Sequence, residues 1–254
     1  MKNNSTKTKH IVVFGGTSDI AQSCLHKWCS SETIKAILVG RDSDRLNIVR
    51  SDLEVRFPDS EFIVNTLDFD NVNNIEELIS NIYAPNDVDI SLIAHGNLLD
   101  QIICQDDIQR CNESLMINGV SVCLILESII KNSSFNKSTL IGVISSVAGD
   151  RARKSNYIYG SAKNLINFYV AGLRHRLSNS KIRISLIKPG PTLSSMTKHL
   201  IGTNLKLASI DYVSSLIVKG MSKNKKIIYA PRRWFLIMLV IKNIPNLLFK
   251  KLNI

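Results

Sequence analysis

His10-Ile-Val-Val-Phe14, followed directly by Gly15-Gly-Thr-Ser-Asp-Ile20, is the stretch on which the fold turns. An unbroken apolar run rich in β-branched residues reads as a strand buried on both faces, the pattern of a parallel sheet. The two glycines turn the chain, and residues 21–29 have the composition of a helix. Strand, glycine turn and helix form half of a nucleotide-binding unit. Glycines let the backbone approach a pyrophosphate, while the helix N-terminus offers free N–H groups and a positive dipole end.

Further apolar runs alternate with helical segments along the chain. Strands are expected at residues 36–40, 61–67, 89–94, 140–144, 181–188 and 226–229, with helices at 44–57, 71–83, 107–131 and 210–222 and one that carries Tyr159 and Lys163 and continues to about 177. This alternation predicts a single α/β domain with a Rossmann-type, doubly wound parallel sheet of about seven strands and its ligand at their carboxyl ends. Gly15, Asp68, Gly96 and Ser146 fall at such ends, and Asn118 lies in the long helix. Arg41-Asp42 sits at the tip of the second strand, where an acid binds the adenine ribose and an arginine favours a 2′-phosphate. Arg41 comes first and favours NADP, while Asp42 leaves NAD open.

A second informative stretch reads Ser145-Ser-Val-Ala-Gly-Asp-Arg-Ala-Arg-Lys-Ser-Asn-Tyr-Ile-Tyr-Gly-Ser-Ala-Lys163. In a helix, Tyr159 and Lys163 share one face, so a phenol and an ammonium point into the same space. A free tyrosine has a pKa of about 10, and a neighbouring cation lets it exchange protons nearer neutrality.

Composition bounds the rest. The 254 residues are 44% hydrophobic, without a linker, repeat or low-complexity tract. One domain is expected over residues 11–229, between a polar, basic tail (1–10) and a C-terminal segment (230–254). The five cysteines show no zinc spacing, so no metal site is expected and they read as core residues in a reducing compartment. The first ten residues lack an apolar h-region, which makes cytoplasm the expected location.

The net charge is +11, and from Arg151 onward the chain has 20 lysines and arginines against one acid, Asp211. Such a split suits an anionic partner or a solvated basic face; no recognition motif or aromatic stacking platform points to nucleic acid. Trp234-Phe-Leu-Ile-Met-Leu-Val-Ile241 is apolar, too short to span a bilayer, and flanked by Arg232, Arg233, Lys242, Lys250 and Lys251. It suits a helix lying on an anionic membrane surface, or one packed on the core or in a subunit interface.

Together the glycine turn, the series Asn118, Ser146, Tyr159 and Lys163, and the Pro189-Gly190 turn resemble the short-chain dehydrogenase/reductase family, over residues 11–229. The resemblance implies NADP- or NAD-dependent carbonyl reduction by a homo-oligomer, dimer or tetramer. Tyr159 would donate the proton, Ser146 would bind the same oxygen, Lys163 would hold the nicotinamide ribose, and Asn118 would hold a water on the proton path. The implied cofactor set is Gly15, Thr17, Ser18, Asp19, Ile20, Arg41, Asp68, Ala94, Gly96, Tyr159, Lys163, Pro189 and Thr192.

Two departures stand out: Asp19 and Ala21 replace glycines, and Ile93-Ala94-His95-Gly96 replaces the common Asn-Asn-Ala-Gly. An aspartate so close to a pyrophosphate is unfavourable unless its side chain turns away to cap the helix. With Lys188-Pro-Gly-Pro and Tyr229-Ala-Pro-Arg-Arg-Trp, these segments are similar to reductases resembling decaprenylphosphoryl-2-keto-erythro-pentose reductase, found with bacterial cell-envelope polysaccharide pathways. That similarity implies a polyprenylphosphoryl 2-keto-pentose substrate, an FAD-dependent oxidoreductase partner that makes the ketone, and a place on the inner face of the plasma membrane. Arg151, Arg153 and Lys154 are the expected phosphate ligands. The alternatives are a soluble ketone or acyl-carrier reductase with the tail as oligomer interface, and a non-catalytic dinucleotide sensor or scaffold.

Overall fold

The computed structural model describes residues 8–85, 87–200, 202 and 206–252. Residues 1–7 of the expected N-terminal tail lie outside them, and Lys9 and His10 already belong to the first strand.

In order, the elements are β1 (Lys9–Phe14), α1 (Asp19–Cys29), β2 (Ile34–Gly40), α2 (Ser43–Arg56), β3 (Glu61–Thr66), α3 (Val72–Tyr83) and β4 (Ile90–Ile93). Then come α4 (Gln101–Asp106), α5 (Ile108–Leu115), a π-helical turn (Met116–Val120), α6 (Ser121–Asn132), β5 (Thr139–Ile144), a 3-10 turn (Val147–Asp150) and α7 (Tyr157–Arg176). The chain continues through β6 (Ile182–Pro189), a 3-10 turn (Ser195–Leu200), α8 (Ile210–Ser222), β7 (Ile227–Ala230), α9 (Arg233–Asn243) and α10 (Asn246–Phe249).

The seven strands run β3-β2-β1-β4-β5-β6-β7, all parallel. Successive strands go out from β1 on one side and then return to its other side, so the topological switch lies between β1 and β4. In open α/β sheets ligands bind outside the strand ends at that point.

Alternate residues of one strand face opposite layers. Val12, Phe14, Ile37 and Val39 join Ile79 of α3, Ile125 of α6 and Ile166 of α7 in one core. Their neighbours Ile11, Val13, Ala36 and Leu38 join Leu25 of α1, Leu46 of α2 and Ile217 of α8 in the other. Burial on both faces explains why the strands are apolar runs without alternation.

The long helix expected over 107–131 differs in two ways. A separate helix, α4, precedes it, because Asp100 and Asp107 each accept backbone N–H bonds and start their own helices. Within it, the π turn widens the backbone at Asn118, a distortion frequent at functional sites. The helical stretch Ile108–Asn132 is apolar and long enough to cross a membrane, but 67% of its most apolar window is buried inside the protein, so it is a core helix.

Candidate active site

The site lies at the carboxyl ends of β1, β4, β5 and β6. Gly15 has φ +86°, and a Cβ there would come within 2.5 Å of the His95 backbone nitrogen. Only glycine lets the β1 turn sit against the end of β4. Ser18, at the N-cap of α1, makes no side-chain cap bond, so the first-turn N–H groups are left without a side-chain acceptor.

Asp19 corrects an expectation. Its carboxylate does turn away from the glycine turn, but to accept a bond of 2.6 Å from the Ser195 N–H instead of capping the helix. It thereby ties the loop after β6 to the start of α1. Thr17 and Ile20 flank it, and the Thr17 carbonyl accepts from Gln22 Nε2 at 3.0 Å.

At the β2 tip both Arg41 and Asp42 are exposed. Asp42 Oδ1 accepts from the Arg45 N–H at 3.0 Å, capping α2, so its carboxylate already has structural work. Asp68 is exposed at the end of β3 and accepts from the Asp70 N–H at 3.1 Å.

His95, whose role the sequence left open, is 7% exposed and stacks on Phe69, with ring centroids 4.1 Å apart. The Ser121 hydroxyl donates to the Ile117 carbonyl at 3.0 Å, so it accepts from His95 Nε2–H at 2.9 Å and fixes the tautomer. Burial first, then the charges of Lys163 and Arg41, push the imidazole down to about 3, so it stays neutral. Its role is to lock the β4 end against α6.

Tyr159 and Lys163 sit one turn apart on α7, with the Lys163 Nζ 5.7 Å from the centre of the Tyr159 ring. Lys163 is 3% exposed and donates to the Ile144 carbonyl at 3.3 Å. An ammonium has three N–H donors, and the others make no hydrogen bond among the described residues. The Ser146 side chain lies beside the Tyr159 phenol and favours its charged form. Gly160 makes this possible: a Cβ there would lie 3.0 Å from the Ala148 carbonyl oxygen, so its absence lets the Ser146 loop lie on α7.

Electrostatically, burial dominates both groups. It lowers Lys163 to about 8 and raises Tyr159 to about 12, the nearby Ser146 side chain opposing the rise. At neutral pH the site holds a protonated phenol beside an ammonium, suited to donating a proton to an oxygen that gains charge.

The two adjacent serines have different work. Ser145 is buried, its hydroxyl within hydrogen-bond reach of Asn167 Oδ1 at 2.7 Å and the Lys163 carbonyl at 3.1 Å, bracing α7. Ser146 accepts from the Ala148 N–H at 3.1 Å and faces the phenol. Tyr157 is 41% exposed and points elsewhere than this pair.

Asn118 commits both amide hydrogens, to Asn97 Oδ1 at 2.7 Å and the Ser114 carbonyl at 3.0 Å, and its Oδ1 accepts from the Asn97 N–H at 3.0 Å. Asn97 is a site residue that sequence reasoning missed; it immediately follows Gly96, which was the available signal. Gly96 lies over Asn118 and Lys163, and Ala94 is bonded to Phe14 at the β4 end. Beyond β6, Pro189 ends the strand and Thr192 donates to the Gly190 carbonyl at 2.9 Å, rigidifying that turn.

Two further features were not legible. Lys188 and Asp150 form a buried ion pair, with side chains 7% and 2% exposed, and the Tyr229 hydroxyl donates to Asp150 at 2.7 Å. This triad fastens the Ser146 loop to β6 and β7. The second concerns Arg151, expected to bind substrate phosphate. Its guanidinium instead donates to the carbonyls of Ile241, Lys242 and Ile244 at 2.9, 2.9 and 2.7 Å and to Asn246 Oδ1 at 3.0 Å. It therefore caps the end of α9 through Nη1 and one N–H of Nη2, leaving Nε–H and the second Nη2–H outside these bonds. Arg153 differs: its Nε is buried without a partner, and burial lowers its pKa. Lys154 is exposed.

These residues fit a dinucleotide. The Gly15 turn brings the backbone close against the end of β4, α1 begins after it without a side-chain cap, and the buried Lys163 ammonium lies under Gly96 at that same strand end.

A family model described as short chain dehydrogenase matches residues 9–204. An uncharacterised oxidoreductase of Streptomyces coelicolor is 25% identical over 256 residues, covering 99% of this chain and 98% of its own. Another from Mycobacterium tuberculosis is 22% identical over 253 residues, covering 98% and 99%. Among solved structures, a short chain dehydrogenase from Burkholderia cenocepacia in complex with NADP superposes with a TM-score of 0.80 at 14% identity, covering 97% of this chain and 98% of that one.

Proposed function

The chain belongs to the short-chain dehydrogenase/reductase family, and from that premise we propose that it reduces a ketone on a sugar with NADPH. The observation that carries the reading is the buried Lys163 ammonium 5.7 Å from the centre of the Tyr159 ring, with the Ser146 side chain beside the phenol. Bound NADPH supplies the hydride. Tyr159 gives its proton to the carbonyl oxygen, Ser146 holds the same oxygen, and Lys163 keeps positive charge beneath the phenol while its free donors hold ribose hydroxyls. Asn118 and Gly96 keep the β4 end over Lys163, and Asn118 Oδ1 retains one lone pair for a proton path.

Cofactor preference rests on Arg41, an exposed guanidinium at the β2 tip, while Asp42 is spent on capping α2. The Burkholderia neighbour named with NADP supports the same reading.

For the substrate we favour a polyprenylphosphoryl 2-keto-pentose, the second half of a C2 epimerisation in cell-envelope polysaccharide synthesis whose ketone an FAD-dependent oxidoreductase supplies. The support is Arg153, a half-buried guanidinium with an unpartnered nitrogen on the loop after Ser146, next to exposed Lys154. Anionic oxygen would satisfy it. The test is turnover of a synthetic polyprenylphosphoryl 2-keto-pentose with NADPH, compared with simple ketones. Preference for the lipid phosphate, lost in Arg153→Ala through KM with NADPH binding intact, is the expected result. Equal KM values for wild type and variant would remove the phosphate assignment.

A further inference from the structure

The C-terminal helices leave an apolar face uncovered. Of α9 only Met238 is buried, while Phe235, Leu236, Leu239 and Val240 are exposed along one side of the helix. Leu247 and Leu248 of α10 continue the patch, and exposures of 63% at Leu236, 65% at Val240 and 77% at Leu247 put it fully in solvent. Exposed cations bracket it: Arg232 and Arg233 at the start of α9, Lys242 near its end, and Lys250 and Lys251 after α10. An apolar patch with a polar rim marks an interaction site.

The charge decides the partner. A second copy seated on this face would bring two identical basic rims together, because a two-fold contact meets its own surface. From Arg151 to the C-terminus, Asp211 alone could offset them, and it is already paired with Lys27. An anionic lipid surface offers the complementary sign and an apolar layer beneath it.

The face is also fastened to the site. Arg151, five residues after Ser146, caps the end of α9 and lies 3.9 Å from the centre of the Phe249 ring. At the other end of α9, Trp234 packs so closely on Gly190 that a Cβ there would meet its indole nitrogen at 1.9 Å. Both contacts join the helix to loops that border the active site.

We propose that the α9–α10 face docks on the headgroup layer of an anionic bilayer, with the active-site loops held at that surface through Arg151 and Trp234. This deepens the lipid-linked reading of the substrate, yet it does not require it, since docking and turnover are measured separately.

The test is flotation of the full chain with vesicles of phosphatidylcholine alone and of phosphatidylcholine mixed with phosphatidylglycerol. Wild type is expected in the vesicle fraction only with the mixed lipid, and to leave it as salt rises from about 0.1 M to about 1 M. Leu236→Ser/Val240→Ser and, separately, Lys250→Ala/Lys251→Ala should each reduce partitioning on the order of tenfold. NADPH binding of each variant, measured alongside, is expected to be unchanged and shows that it is folded. Wild type remaining with the soluble fraction would overturn the proposal, as would flotation of both variants to the same extent as wild type. So would a dimeric mass that Leu236→Ser/Val240→Ser converts to monomer without any flotation, which would assign the face to a second copy. Loss of keto-sugar turnover with flotation intact would strike only the substrate reading.

Discussion

Gly96 and Asn118 meet at a distance that leaves no room for a side chain: a Cβ on Gly96 would lie 2.7 Å from Asn118 Oδ1 and 3.6 Å from the Lys163 Nζ. Gly96→Ala is therefore expected to push Asn118 off the Asn97 backbone and disturb the floor beneath Lys163. Overpacking of this kind costs about 1–3 kcal/mol. A fall in kcat larger than the loss of stability, read from turnover and denaturant melts, is the expected outcome; unchanged kcat would contradict it.

The Asp150–Lys188 pair offers a test of stability apart from chemistry. Asp150→Asn leaves the Lys188 ammonium buried beside a neutral amide, and breaking a buried pair in this way costs about 3–5 kcal/mol. Urea unfolding should show a lower midpoint with an unchanged slope. Tyr229→Phe removes a single hydrogen bond to Asp150 and should cost less, on the order of 1–3 kcal/mol.

Burial of Lys163 predicts a pH dependence of stability. Its pKa falls from 10.5 in the unfolded chain to about 8 in the fold, so between these values the unfolded state binds more protons. Stability from this group is lowest below pH about 8 and rises as pH climbs toward 10.5. Tyr159 has the opposite sign but acts only above its ordinary value of 10.0, where folding holds its proton up to about 12. Relative to Lys163→Met, wild type should therefore gain stability between pH 8 and 10 in parallel melts. A flat difference would mean that Lys163 is not desolvated.

Arg41 and Asp42 predict separable effects. Arg41→Ala should raise KM for NADPH about tenfold or more and leave KM for NADH nearly unchanged, because it removes only a partner for the 2′-phosphate. Asp42→Ala should cost about 1 kcal/mol of stability through the lost cap on α2, with little effect on either cofactor. The reverse pattern would assign the ribose site to Asp42.

Much of this architecture was legible because strands buried on both faces, such as Ile11 to Phe14 and Ala36 to Val39, are written as unbroken apolar runs. The spacing of Tyr159 and Lys163 placed both on one helix face. Other features were hidden because they depend on which side chains meet across distant segments. Arg151 reads as an available cation until α9 is seen presenting its terminal carbonyls to it, some 90 residues later. The Asp150–Lys188–Tyr229 triad joins three segments with no local pattern, and His95 gains its meaning from Ser121 and Phe69. Helix α4 escaped because six residues are too few to display a helical period.

The most direct measurement is NADPH oxidation by Tyr159→Phe with a keto-sugar substrate, with NADPH binding titrated in the same preparation. If Tyr159 delivers the proton, turnover falls by about 10²–10⁴-fold while NADPH binds as in wild type. Turnover near the wild-type rate with binding intact would place the acid elsewhere and contradict the account.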